Sequence, residues 1–249
     1  MCKDCGCEKA VPLDLFQTPS FSFLESPQKE RKRRIQVEKD ILAKNNEIAE
    51  QNHRWFQKHK IKVLNIMSSP GSGKTLLLEK TLPLLSEKYK VAVLVGDQRT
   101  ENDALRLRGK GALVKQLNTN ACHLDATMIA NERGNFIDES LDFLIIENVG
   151  NLVCPASFYL GEDLKIAFIS VCEGEDKPAK YPILFYQADL VVLTKIDLLP
   201  FLEWDRSLFE SSLFLLNPKV PVLSLSAKTG ENLQEWIHYF DTLQENLCV

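Results

Sequence analysis

No apolar stretch in this chain approaches the roughly 20 residues that a membrane-spanning helix needs. Net positive charge is also missing. The formal charge is −4 over 249 residues, which argues against nucleic acid or an anionic membrane as a partner. The first residues include Asp4 and Glu8 and lack the basic-then-apolar order of a secretory signal, so a cytoplasmic location is expected. Glycine and proline are absent between Gln28 and Lys60, which removes the usual helix breakers from that segment. The seven cysteines are an odd number and unevenly placed. Cys2, Cys5 and Cys7 crowd the start, while Cys122, Cys154, Cys172 and Cys248 are scattered. Clustered thiols in a cytosolic chain point to metal binding or redox chemistry rather than to a disulfide framework.

Three regions follow from composition. Residues 1–27 carry the cysteine cluster and then Pro12, Pro19 and Pro27, and read as a metal-binding tip with a linker. Residues 28–60 read as a long amphipathic helix. Ile35, Leu42, Ala49 and Phe56 recur every seventh position, flanked by Ile41, Ile48 and Trp55. The basic run Lys29–Arg34 that opens it suits a solvated face. Residues 61–249 alternate short apolar runs with helical stretches. Val63–Met67, Val91–Val95, Phe143–Ile146, Ile166–Val171, Leu190–Leu193 and Val222–Leu225 have the continuous apolar character of parallel strands buried on both faces. The expected fold is a doubly wound, mostly parallel α/β sheet with helices on both faces, binding its ligand at the carboxyl ends of the strands.

The first strand runs into Ser68-Ser69-Pro70-Gly71-Ser72-Gly73-Lys74-Thr75, and a helix follows. Strand, glycine-rich turn and helix start form a phosphate cradle. Gly71 and Gly73, with Ser72 between them, let backbone N–H groups converge on the phosphates, and the helix N-terminus adds its dipole. Lys74 reaches the β- and γ-phosphates and the Thr75 hydroxyl ligates Mg²⁺ in such a loop. Ser68 stands where the pattern has its first glycine. Asp97 and Glu147, each at the end of an apolar run, are candidates to hold the same Mg²⁺, directly or through water. Gly150 would let its backbone approach the γ-phosphate. Thr194-Lys195-Ile196-Asp197 and Ser226-Ala227-Lys228 resemble the guanine-reading pair of G proteins, with Thr194 in place of the usual Asn. Asp197 can accept from guanine N1–H and the exocyclic amine, Lys195 can pack along the base, and the Ala227 N–H can donate to O6. GTP and GDP are therefore expected over adenine nucleotides.

Cys2, Cys5 and Cys7 place three thiols within six residues, with the Cys2 amine as a further donor if Met1 is removed. That set suits square-planar Ni²⁺, and Zn²⁺ would accept nearly the same donors. Cys122-His123 follows the strand-like Ala112–Leu117 and opens a helical stretch, Leu124–Arg133, while Cys154 follows soon after Glu147–Gly150. One His and two Cys make three ligands, one short of a closed tetrahedral site. Either the set is open or two subunits share metals. Cys172 and Cys248 read as structural, and His53, His59 and His238 as solvated or packed.

Taken together, the Cys2–Cys7 cluster, SSPGSGKT (68–75), the Gly96-Asp97 turn, ACHLDA (121–126), IIENVGNLVCP (145–155), EGEDK (173–177), TKIDLLP (194–200) and SAKTG (226–230) resemble the hydrogenase nickel-incorporation GTPases, the HypB family. The resemblance covers essentially the whole chain. It implies a phosphate-loop GTPase of the SIMIBI class that helps deliver nickel to [NiFe]-hydrogenase, with slow GTP hydrolysis as its switch. It further implies a tight nickel site at Cys2, Cys5 and Cys7, and a second site for zinc or nickel at Cys122, His123 and Cys154. That second site would lie at a nucleotide-dependent homodimer interface. The implied partners are the metallochaperone HypA and the hydrogenase large-subunit maturation complex. Asn118-Thr119-Asn120, where a Thr-Gly pair is expected, and Arg99 in the Asp97 loop depart from the family pattern. A urease-accessory-type nickel GTPase and a metal-storage protein with a regulatory nucleotide site are the competing readings. The cysteine tip and the CHLDA segment speak against the first, and intact Lys74, Thr75, Asp97 and Asp197 against the second.

Overall fold

The computed structural model describes residues 27–97 and 102–245. Cys2, Cys5, Cys7, Arg99 and Cys248 lie outside them, as does the side chain of Ile35. A long helix, α1 (Pro27–His59), comes first. Strand and helix then alternate through β1 (Lys62–Ser68), α2 (Lys74–Ser86), β2 (Val91–Asp97), α3 (Asn102–Leu107), β3 (Leu113–Asn118), α4 (Ala126–Ala130), β4 (Phe143–Glu147) and α5 (Cys154–Ser157). The second half holds β5 (Leu164–Ser170), α6 (Lys177–Lys180), α7 (Pro182–Gln187), β6 (Leu190–Thr194), α8 (Arg206–Leu216), β7 (Val222–Ser224) and α9 (Leu233–Glu245). Short 3-10 turns at Val171–Glu173 and Ile196–Phe201 follow β5 and β6. Among the described residues no helix is long and apolar enough to cross a membrane.

The strands form one seven-stranded sheet in the order β3-β2-β4-β1-β5-β6-β7. Every pairing is parallel. Successive residues of β1 point to opposite faces, so the strand must be apolar throughout. Leu64 and Ile66 pack with Leu77 and Leu82 of α2 and Trp236 and Phe240 of α9. Val63 turns the other way, toward Phe56, Leu94 and Leu144. Met67 joins Ala167, Val191 and Phe185 in a third cluster. Asn65 is the exception, a fully buried amide in the central strand. Its Nδ2 donates to Glu162 Oε1 at 3.3 Å, and its Oδ1 accepts from Asn148 Nδ2 at 3.1 Å. Glu162 in turn accepts from the Leu160 N–H at 2.7 Å, and burial pushes its carboxyl above the ordinary range.

Two expected elements differ in extent. The run 28–60 is one helix, but its buried face is Asn45, Ala49, Asn52 and Phe56 rather than a purely apolar heptad. Ile41 is exposed, and Leu42, Ile48 and Trp55 are half-buried. The stretch Leu124–Arg133 is not a helix throughout. Asp125 accepts from the Met128 N–H at 2.9 Å and so caps a helix that begins only at Ala126. Gly134, at φ +75°, then helps turn the chain toward the Arg133–Ile137 bridge. Cys122 and His123 consequently sit in a loop. Cys172, read as structural, is exposed.

Gly161 makes the seating of α1 possible. It adopts φ +99°, and a Cβ there would stand 2.6 Å from Asn52 Cβ and 2.7 Å from the Ala49 carbonyl. Gly161→Ala is expected to cost about 3 kcal/mol, from left-handed backbone strain plus overpacking. Chemical denaturation reads this directly; an unchanged midpoint would mean that α1 does not rest on the turn at 160–161.

Candidate nucleotide and metal sites

The carboxyl ends of β1, β2 and β4 face one cleft of about 520 Å³. It is lined by Gly71, Ser72, Gly73, Lys74, Thr75, Asp97, Glu147 and Gly150, so the residues expected around the phosphates and Mg²⁺ are brought together. Gly71 and Gly73 have φ +75° and +97°, conformations that turn the peptide N–H groups inward and that other residues rarely adopt. Ser68 ends an extended strand, so no glycine is needed there. Its hydroxyl instead accepts from Lys74 Nζ at 2.5 Å and donates to the Ser69 carbonyl at 2.7 Å.

Thr75 Oγ1 donates to Glu147 Oε1 at 2.6 Å, while Glu147 Oε2 is buried without a hydrogen-bond partner. Burial pushes the Glu147 carboxyl up, against the pull of Lys74 and the Thr75 hydroxyl, and burial pushes the Lys74 ammonium down. An orphaned carboxylate oxygen beside a threonine hydroxyl and Asp97 is a hard-oxygen set that fits Mg²⁺. Asp103 and Arg106 of α3 line the same cleft and carried no role in the sequence reading. Arg106 is held by Glu79 at 2.9 Å.

The residues expected to read the base lie at the ends of β6 and β7. Thr194 Oγ1 donates to the Ser72 carbonyl at 2.5 Å, so the hydroxyl takes over the tether to the phosphate loop that an amide would make. Lys195, at φ +59°, sends Nζ to the Gly71 carbonyl at 2.7 Å. Asp197 accepts from Ser226 Oγ at 2.6 Å, and Ser226 Oγ accepts from the Thr229 N–H at 3.2 Å. Ala227 is half-buried beside them and Lys228 is exposed. Glu173 accepts from the Ser69 hydroxyl and from the Ser170 N–H, joining the end of β5 to the phosphate loop.

A second cluster lies beyond β2 and β4. Ligand atoms of Cys122, His123 and Cys154 all fall within 4.8 Å of one another. His123 is 5% exposed and stacks on Phe158 at 3.7 Å, which fixes the ring plane. Two soft sulfurs and an imidazole suit Ni²⁺ or Zn²⁺ better than Mg²⁺ or Ca²⁺. The loop that carries Cys122 and His123 is closed by Thr119, whose hydroxyl accepts from the Ala121 N–H at 3.0 Å and donates to the His123 carbonyl at 3.4 Å. The departure at Asn118-Thr119-Asn120 thus keeps the threonine that shapes the loop.

The two clusters touch through backbone. The Thr119 N–H donates to the Asp97 carbonyl at 3.2 Å. A Cβ on Gly96 would stand 2.9 Å from the Leu124 side chain, and one on Gly150 would stand 3.2 Å from Pro70. Asn148, directly after Glu147, accepts from the Leu124 N–H at 3.3 Å, and Asn151 Nδ2 donates to the Cys122 carbonyl at 3.5 Å. Neither asparagine was assigned a role from sequence, because a polar residue after a strand reads as solvated loop. Only its burial identifies Asn148.

Known proteins share these features. Residues 62–224 match the family described as CobW/HypB/UreG, nucleotide-binding domain. The hydrogenase maturation factor HypB of Escherichia coli is 47% identical over 218 residues, which is 87% of this chain and 75% of that one. HypB from Archaeoglobus fulgidus superposes with a TM-score of 0.76 at 36% identity, covering 82% of this chain and all of that one. HypB from Helicobacter pylori, solved in complex with nickel, gives 0.74 at 39%, covering 82% of this chain and 96% of that one. A family match across the sheet, near-half identity to a curated relative and a shared fold lead to one conclusion: the chain belongs to the HypB hydrogenase maturation factors, within the CobW/HypB/UreG nucleotide-binding proteins.

Proposed function

We propose that this chain uses GTP binding and hydrolysis to control when nickel is held at Cys122, His123 and Cys154 and when it is passed on during [NiFe]-hydrogenase maturation. The observation that carries this reading is the close grouping of the three soft donors on segments bonded to the nucleotide cleft. Lys74 and the phosphate-loop amides bind the β- and γ-phosphates, Thr194 and Lys195 hold the loop in shape, and Asp197 with Ala227 reads guanine. Thr75 and Glu147, with Asp97 nearby, would hold Mg²⁺, which would supply positive charge beside the phosphates. When the γ-phosphate is present, Gly150 and Glu147 shift against Pro70 and Thr75, and Asn148 and Asn151 carry the movement to the peptides on either side of His123.

Three donors leave the inner site one ligand short of four. A GTP-dependent homodimer completes it by sharing ligands between copies, with zinc as a competing occupant. Cys2, Cys5 and Cys7 form a separate nickel site at the tip of residues 1–27, residues 28–60 form the helical extension, and residues 61–249 the GTPase domain. HypA and the hydrogenase large-subunit maturation complex are the partners on either side of the transfer, in the cytoplasm.

Lys74→Ala should abolish GTP binding and, in cells at trace nickel, leave hydrogenase unprocessed; normal hydrogenase activity in that strain counts against the proposal. Asp197→Asn should lose roughly a hundredfold in GTP affinity, because a buried polar pairing is broken, and should gain xanthosine triphosphate, whose 2-oxo group can accept from the new amide. Competition between the two nucleotides measures this, and retained guanine preference would remove Asp197 as the reader. Cys122→Ala should weaken nickel binding at the inner site and alter GTP-dependent dimerisation. Unchanged metal stoichiometry together with unchanged dimerisation would rule out the coupling.

A further inference from the structure

Helix α1 packs on the sheet domain through Phe56 and Trp55 and also through two buried amides. Asn45, Ala49, Asn52 and Phe56 form its buried face, and the two asparagines end on one residue. Asn45 Oδ1 accepts from the Ala126 N–H at 2.9 Å, and Asn52 Nδ2 donates to the Ala126 carbonyl at 2.9 Å. Ala126 is the first residue of α4 and closes the loop that carries Cys122 and His123. Each asparagine also reaches the segment after α5. Asn45 Nδ2 donates to the Tyr159 carbonyl at 2.7 Å, and Asn52 Nδ2 to the Leu160 carbonyl at 2.9 Å. Phe158, the ring stacked on His123, immediately precedes Tyr159, and α5 begins at Cys154. Both halves of the metal-ligand trio therefore hang from the same helix face.

Apolar side chains at 45 and 52 would bury α1 equally well, but they would not fix where the two loops sit, since hydrophobic contact has no direction and hydrogen bonds do. Asn52 keeps its two donations even though its Oδ1 is buried without a partner. Such an orphaned oxygen is costly, and it is tolerated where a bond elsewhere matters more.

We propose that Asn45 and Asn52 are positioning residues for the Cys122–His123–Cys154 site, which makes α1 a control on nickel affinity that is separate from the nucleotide. The inference rests on the reading that this trio holds nickel. Groups that orient ligands from behind typically change metal affinity about 10–100-fold when removed.

The test uses the full chain carrying Cys2→Ser, Cys5→Ser and Cys7→Ser, so that thiolate-to-nickel absorption reports the inner trio. Asn45→Ala and Asn52→Ala are compared with Phe56→Leu, which loosens helix packing without touching Ala126. Ni²⁺ affinity, the unfolding midpoint and GTP kcat/KM are measured for each. The asparagine variants should bind Ni²⁺ at least about tenfold more weakly with GTP kcat/KM unchanged, whereas Phe56→Leu should lose stability and keep its nickel affinity. Asn45 lies at the edge of the interface, so Asn45→Ala decides the matter if Asn52→Ala does not fold. Folded asparagine variants that bind Ni²⁺ as tightly as their parent would overturn the inference alone. So would a Phe56→Leu variant weakened as much as they are, since helix docking in general would then be the cause. A parent that binds no nickel through the trio would overturn the functional reading and the inference with it.

Discussion

Peptide groups buried away from water must find partners, and past the Thr119 N–H, which donates to the Asp97 carbonyl, strand β2 does not supply them in the loop between β3 and α4. Side chains do so instead. Thr119 closes the turn from within, Asn148 takes the Leu124 N–H, Asn151 reaches the Cys122 carbonyl, and Asn45 and Asn52 take both polar groups of Ala126. The position of His123 is thus defined by whatever moves those asparagines. Two follow Glu147 within four residues and two sit on α1, so the loop carrying Cys122 and His123 is joined to the nucleotide cleft on one side and to the N-terminal helix on the other.

The nucleotide cleft obeys a related rule for charge. Lys74 and Glu147 are both buried, and burial shifts each toward its neutral form. Short contacts to Ser68 and Thr75 hold the two side chains in place, and Glu147 Oε2 is left buried without a hydrogen-bond partner. A triphosphate would supply negative charge to Lys74 and a divalent cation positive charge to Glu147, so binding both would offset the cost of burying these groups.

Much of this was legible in the chain and the rest has physical reasons for being hidden. Parallel strands buried on both faces read as unbroken apolar runs, so six of the seven were visible as strands and Ala112–Leu117 as strand-like. The phosphate loop is legible because φ values such as those at Gly71 and Gly73 demand glycine. The trio was only partly legible: Cys122 and His123 adjoin, but Cys154 lies on a different segment, and no spacing encodes its approach. Asn45 and Asn52 on a charged helix resemble solvated positions, and Asn65 resembles a flaw in a strand. The partners of Asn45 and Asn52 are backbone groups more than 70 residues away, and those of Asn65 are the side chains of Glu162 and Asn148. The helix expected from Leu124 was set too early because Asp125 can be either a helical residue or a cap, and only its bond to Met128 decides.

The strand order has a consequence for how the protein is made. Cys122 and His123 follow β3, Cys154 follows β4, and these strands are not neighbours; β2 lies between them. The trio can come together only after β2 has been inserted and paired on both edges, which makes it a late, non-local product of folding. A metal held by the trio, as proposed, would arrive at a finished site and would not be what the chain folds around, unlike the ion of a zinc finger. The hydrophobic sheet would carry the stability, and the metal would be free to leave without the fold going with it. That independence is what a carrier of cargo requires.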